Sequence, residues 1–453
     1  MTLMMDWEKL LSRKRKGRKA ELSDSTRSEF ERDHDRILFS PAFRRLHDKT
    51  QVFPMPEHDH VHSRLTHTIE TASVGYTLGR SCAEAIIKTF KLTDVSSTDF
   101  GDIVSAACMA HDIGNPPFGH SGEKAIASWF KDHRKEKFLS GLAANERLDL
   151  ENFEGNANGF RVVTKLQIHP DDGGMQLNYA TLGALVKYPQ GSFDIEAADK
   201  SEDRSGKRRA KIFKKFNCFR SEESFFKELM IECGIPRHRQ RSDAWMRHPL
   251  AFLMEAADDI CYRVLDMEDG FVLKHIPYKT AEDGLVSIIR EDRKYFLLTK
   301  GAEAENVGHL RARAITSLVN QVRTFFIEHL EKFTDGKIEA PIIEQIPSAD
   351  AVENLREQNE IHCYKQPSVL TIELAGYKVI GELLTEFVPA VVAGKTERSA
   401  KQRKLVDLLL PVDIDGCKSD YEKILRVTDY ISGMSDTYAM STYRRLIGVA
   451  IPR

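Results

Sequence analysis

No two of the seven cysteines, at 82, 108, 218, 233, 261, 363 and 417, form a C-x-x-C pair, and their number is odd. That excludes a disulfide framework and a zinc ribbon, and scattered thiols fit a reducing, cytoplasmic setting. Charge of one sign is not in excess either. With 66 Lys and Arg against 68 Asp and Glu the formal net charge is -2, so no global field draws the chain to nucleic acid or membrane. No apolar run approaches membrane-spanning length, and "MTLMMDWEKLLSRKRKGRK" has no apolar core ahead of a small-residue cleavage site. Neither export nor membrane insertion is expected. Hairpin signals between alternating apolar runs and repeats of solenoid length are missing too.

What is present is helical periodicity over 453 residues, 41% hydrophobic, enough for one large core or two to three smaller ones. A mainly α fold follows. One helix is expected over 61–81, with Leu65, Ile69, Ala72, Tyr76 and Gly79 along one stripe. A second, "FGDIVSAACMAHDIG", is small and apolar on all sides and therefore buried, with Gly114, Pro116 and Pro117 to stop it. A third starts near Ser121 as N-cap and places Glu123 in its first turn. A fourth begins at Pro249 and stays periodic to Met267.

Between the second and third helices lies "CMAHDIGNPPFGHSGE". On a regular helix the adjacent His111 and Asp112 diverge by about 100 degrees, so only a distorted terminal turn aims both at one point. Two more candidate ligands, His67 and Asp258, sit on the first and fourth helices. Two imidazoles and two carboxylates suit a hard or borderline divalent ion with positions open to water.

The order H…HD…D, with "FRRLHDKTQVFP", "HDIGNPPFGHSGE", "NFEGNANGFR", "VKYP", "MEAADDICY" and "DYISGMSD" collinear from about Arg27 to Tyr430, resembles the HD-domain phosphohydrolases. Within them it is similar to the deoxyguanosine triphosphate triphosphohydrolase family. The resemblance implies an all-α fold: an HD-domain helical bundle core over 27–290, with surface loops near 168–176 and 195–216, after a basic segment 1–26. A further helical layer would span 291–453. It implies one divalent ion on His67, His111, Asp112 and Asp258, manganese or magnesium first, with cobalt, iron or nickel also accommodated. It assigns catalysis to His120 and Glu123, and implies a homo-oligomer, dimer or hexamer, with single-stranded DNA or a nucleotide as effector.

Chemistry is consistent with those roles. Cleavage between the α-phosphorus and the 5′ oxygen expels an alkoxide, a poor leaving group that needs a proton. His120 would donate it and Glu123 would orient the ring. A triphosphate brings about four negative charges, so cations are needed nearby. Arg64 shares a helix face with His67, and Lys187 is a second cation. By similarity Lys187, Tyr188 and Asn156 lie in the substrate pocket, and Gln51 touches sugar or base. Tyr262, one turn after Asp258, would flank the sugar and exclude a 2′-hydroxyl by bulk. Asp266 would share that face.

Other features are read more plainly. His58, His60 and His62 are expected to be solvated, and Asp259 to stay off the ion. The basic runs 13–19 and 206–216 are expected as exposed faces, although Phe213 and Phe216 among lysines could stack the bases of a single strand. Asn217 stands where relatives of the resembled family carry glycine, and is expected to touch no catalytic group. Two other functions use the same residues: an HD-type nucleotidase acting on deoxynucleoside monophosphates, or a nucleotide- or DNA-binding regulator with a structural HD site.

Overall fold

A computed structural model describes residues 4–17, 27–53, 61–167, 174–192, 213, 215–241, 243–289, 302–409 and 413–449. Among them the chain is helical, with extended pairing limited to isolated bridges such as Gly191 with Cys218. The all-α expectation holds. The loops at 168–173 and 195–212, and His58 and His60, lie outside the described residues.

After α1 (Glu31–Leu38), the long α2 (Arg64–Phe90) starts where the Ser63 hydroxyl accepts the Thr66 N–H at 3.3 Å. It therefore begins three residues later than expected and runs further. Ile69 is half exposed, and the buried face instead follows His67, Thr71, Gly75, Leu78, Cys82 and Ile86. The difference comes from small residues: a Cβ on Gly79 would stand 2.4 Å from the Phe100 carbonyl, so glycine lets α3 (Ser97–Ala110) lie directly on α2. α3 opens with a Ser96–Asp99 capping box and is buried almost all round from Phe100 onward, as its composition predicts.

α3 ends at Ala110, ahead of Gly114, and the chain turns through His111–Gly114. α4 (Gly119–Asp132) then begins at Gly119 rather than at a Ser121 cap. Phe118 precedes it with φ of 63°, a left-handed conformation costly for an aromatic residue. The Phe118 N–H donates to Asp436 at 2.9 Å, and the same carboxylate accepts the Thr50 N–H at 2.9 Å. A tertiary carboxylate thus sets the helix start, and Glu123 falls in the second turn. α5 (Gly155–Arg161) packs on the 111–114 turn, where a Cβ on Gly114 would lie 2.0 Å from the Gly159 nitrogen.

α6 (Pro249–Val272) is capped by His248, whose Nδ1 accepts the Leu250 N–H at 3.0 Å while Nε2 donates to the Leu10 carbonyl at 3.1 Å. This fixes one neutral tautomer, and burial pushes its pKa down to about 4 from 6.5. Because the folded value is depressed, the contribution is complete above pH 6.5 and is lost as pH falls toward 4. About 3 kcal/mol of stability should disappear over that window. Urea titrations at pH 7 and pH 4.5 test it, since His248→Asn keeps a capping acceptor but lacks the titration and should show a smaller loss.

In the described part of the basic N-terminal run Arg13 and Lys14 are exposed, as expected, and Arg15 is not. Arg15 is buried against Asp33 and the Glu29 carboxylate, and Lys14 pairs with Glu232 at 2.7 Å. Trp7 and Leu10 join the main core, which gathers α1, α2, α3, α6, α7 (Glu303–Glu328) and α8 (Ala349–Asn359). A second apolar cluster joins α4 to α9 (Pro367–Val392) and α10 (Asp420–Ser432) through Ile126, Trp129, Leu383, Phe387 and Ile424. Between the clusters runs the turn that carries His111 and Asp112.

Candidate active site

His67 on α2 and His111 and Asp112 on the turn after α3 place ligand atoms within 4.8 Å of one another. Asp258 on α6 joins them: its Oδ1 lies 3.3 Å from His67 Nε2 and 3.4 Å from His111 Nε2. The distorted turn does what a regular helix could not, bringing His111 Nε2 to 3.4 Å from Asp112 Oδ2. The Cys108 carbonyl takes the His111 Nδ1–H at 2.6 Å, so Nε2 is the ring atom that faces the carboxylates. Arg64 and the Asn115 amide, the latter at 2.6 Å, hold Asp112.

Burial opposes charge on His111, Asp112 and Asp258, yet attraction to neighbouring charges outweighs it. The His111 pKa is pushed up to about 9 by Asp112 and Asp258, and the Asp258 carboxyl is held well below its usual range by His111 and Lys187. Two ionised carboxylates and two imidazole nitrogens facing one point are the donor set of a divalent-ion site. The residues fit such an ion.

The cluster opens into a cavity of about 500 Å³. At its rim His120, 70% exposed at the side chain, pairs through Nδ1 with Glu123 Oε2 at 2.9 Å. Glu123 is buried and also accepts the Gly155 N–H at 2.8 Å. Burial raises its pKa, but His120, Lys215 and that N–H prevail and bring it down to about 2. His120 is thus an exposed ring anchored on a buried carboxylate, an arrangement that suits a proton donor.

Of the expected substrate contacts, Gln51, Arg64, Asn156, Lys187, Tyr188 and Tyr262 all line this cavity. Gln51 Oε1 is buried with no hydrogen-bond partner among the described residues. Lys187 Nζ lies 3.4 Å from Asp258 and 3.8 Å from Glu255. Asp266 does not line the cavity: 3% exposed, it accepts the Tyr364 hydroxyl and so braces that ring from behind. Tyr364, 5.9 Å from Tyr262, faces the cavity instead. Asp259 also reaches the lining, paired with Arg263 at 3.6 Å.

Several expectations are corrected here. His62 is not solvated: its Nδ1 lies 2.7 Å from Asp269 and its Nε2 3.2 Å from Glu70, which clamps the start of α2 to α6. Phe213 and Phe216 are buried, so neither can stack on a single strand. Asn217, as expected, bonds neither His120 nor Glu123; it supports the pocket instead, its Oδ1 accepting the Tyr188 N–H at 2.7 Å and its Nδ2 donating to the Asn156 carbonyl at 3.4 Å. Among residues the sequence did not point to, Lys215 lines the cavity 3.0 Å from Glu154 and 3.9 Å from Glu123. Lys49, fully inside, donates to the Asn115 and Ser432 carbonyls at 2.5 and 2.7 Å, tying the end of the turn that carries His111 and Asp112 to α10.

Comparison with known proteins gives the family. The HD domain family matches residues 64–154, which include His67, His111, Asp112, His120 and Glu123. A deoxyguanosinetriphosphate triphosphohydrolase-like protein of Synechocystis is 39% identical over 452 residues, covering 99% of this chain and all of that protein. A protein of the same description from Pseudomonas aeruginosa is 37% identical over 99% of the chain. The deoxyguanosinetriphosphate triphosphohydrolase of Enterobacter sp. (strain 638) is 30% identical over 93% of this chain and 94% of its own. Among the described residues no helix is long and apolar enough to cross a membrane. Full-length similarity on both sides, around an HD site whose side chains converge, makes this chain a hydrolase, a nucleotide triphosphohydrolase that belongs to the deoxyguanosine triphosphate triphosphohydrolase family of HD-domain proteins.

Proposed function

We propose that the chain hydrolyses deoxynucleoside triphosphates, dGTP first among them, to the deoxynucleoside and inorganic triphosphate. The supporting observation is that His120, held by Glu123, lines the same cavity as the His111, Asp112 and Asp258 carboxylate–imidazole cluster, with Arg64, Lys187 and Lys215 around it. His67, His111, Asp112 and Asp258 would hold one divalent ion, manganese or magnesium. When bound, the ion supplies Lewis-acid charge to the phosphoryl group and acidity to an attacking water.

The chain's own residues do the rest. Arg64, Lys187 and Lys215 offset phosphate charge, and Asn156 and Tyr188 fix the phosphates' orientation. His120 Nε2 gives a proton to the departing 5′ oxygen, while Glu123 holds the ring through Nδ1 and offsets the charge of its protonated form. Tyr262 and Tyr364 wall the sugar, where Gln51 Oε1 offers an acceptor to a hydroxyl. The relatives named for dGTP favour guanine as the base.

Incubation with each dNTP and GTP under several divalent ions, with products separated by anion exchange, tests the reading. Deoxyguanosine and inorganic triphosphate are expected in equal amounts from dGTP. Monophosphate with pyrophosphate would move the cleavage site, and orthophosphate released from dGMP would favour the nucleotidase.

A further inference from the structure

The cations deep in the cavity are already committed to carboxylates. Arg64 holds Asp112, Lys187 lies 3.4 Å from Asp258, Lys215 lies 3.0 Å from Glu154, and Arg263 lies 3.6 Å from Asp259. A triphosphate of about four negative charges therefore meets positive groups that offset it while sharing their charge with these carboxylates. One divalent ion does not balance it.

Lys124 differs from all of these. It lines the same cavity, is exposed, and has no hydrogen bond or ion pair among the described residues. On α4 it follows His120 by four residues, so the two share a face. Helical side chains lean toward the N-terminus, which lays the Lys124 stem over the turn carrying His120 and brings its ammonium to the rim of the site. It can offer its full charge without releasing a carboxylate.

We propose that Lys124 is a triphosphate-binding residue whose ammonium meets non-bridging phosphate oxygens. The inference rests on the triphosphohydrolase reading above. No neighbouring motif marks the position, because a lone lysine after Glu123 reads as ordinary helix surface.

The test uses the full chain and its Lys124→Ala and Lys124→Arg variants with manganese. Three quantities are read: KM for dGTP, inhibition by inorganic triphosphate, and inhibition by deoxyguanosine. Lys124→Ala should raise KM and the triphosphate inhibition constant together by about tenfold, the loss of one charge-assisted contact. Deoxyguanosine inhibition should not move, and Lys124→Arg should recover most of the change. Unaltered triphosphate inhibition, or a change confined to deoxyguanosine, overturns the inference. Calorimetric binding of inorganic triphosphate reads the same contact without turnover. If the unmodified chain releases no triphosphate from dGTP, the reaction is misread; if it does and Lys124→Ala binds triphosphate equally well, only the role of Lys124 is wrong.

Discussion

His111→Ala is expected to abolish divalent-ion binding and to lower dGTP turnover about a thousandfold, equivalent to about 4 kcal/mol of transition-state stabilisation. The imidazole is the centre of the cluster, with its Nε2 3.4 Å from both Asp112 and Asp258. Removing it would take away one proposed ligand and leave the part-buried Asp112 and Asp258 carboxylates facing each other across the gap. Asp258→Asn should be comparably inactive, because Asp258 meets both imidazoles and Lys187. Thermal unfolding separates lost ligation from lost folding. Manganese added to the dialysed chain should raise its Tm by mass action on the folded state, whereas both variants should melt cooperatively and show no such rise. A variant that retains the manganese-dependent rise would remove the four residues from the ion's coordination.

Much of this site was legible because its chemistry is contiguous. His111, Asp112, His120 and Glu123 fall within thirteen residues, and His67 and Asp258 lie on helices whose periodicity is plain. The unread parts depend on contacts between distant segments. Ser121 looks like an N-cap, yet α4 begins at Gly119 because Asp436, more than three hundred residues away, takes the Phe118 N–H. Ile69 fits an apolar stripe, but glycines at 75 and 79 rotate the buried face of α2 toward α3. Phe213 and Phe216 sit in a basic run that suggests a surface, while Arg241 stacks over the Phe213 ring at 4.6 Å and both rings are inside. Lys215 and Tyr364 carry no local pattern; only the fold brings them to the cavity. Adjacent side chains can be weighed from sequence, whereas a carboxylate that captures a remote backbone N–H cannot.

The second large effect concerns the proton. His120→Ala should cost about a thousandfold in kcat on dGTP, within the range of a positioned general acid. Glu123→Gln keeps the shape of the side chain but withdraws its charge from His120 Nδ1, 2.9 Å away, and about a hundredfold loss is expected. Because His120 is exposed at the rim and Glu123 is buried with the Gly155 N–H, the first variant should not change stability and the second should lower it. A substrate with a better leaving group isolates the role. Where the 5′ alkoxide is replaced by p-nitrophenolate, departure needs no proton, so His120→Ala should lose less than about tenfold on that aryl ester. Equal losses on dGTP and on the aryl ester would show that His120 acts on the attacking water or on the phosphates instead. In that case Glu123 would be orienting a base or a phosphate donor, and the proton for the 5′ oxygen would have to come from another group lining the same cavity.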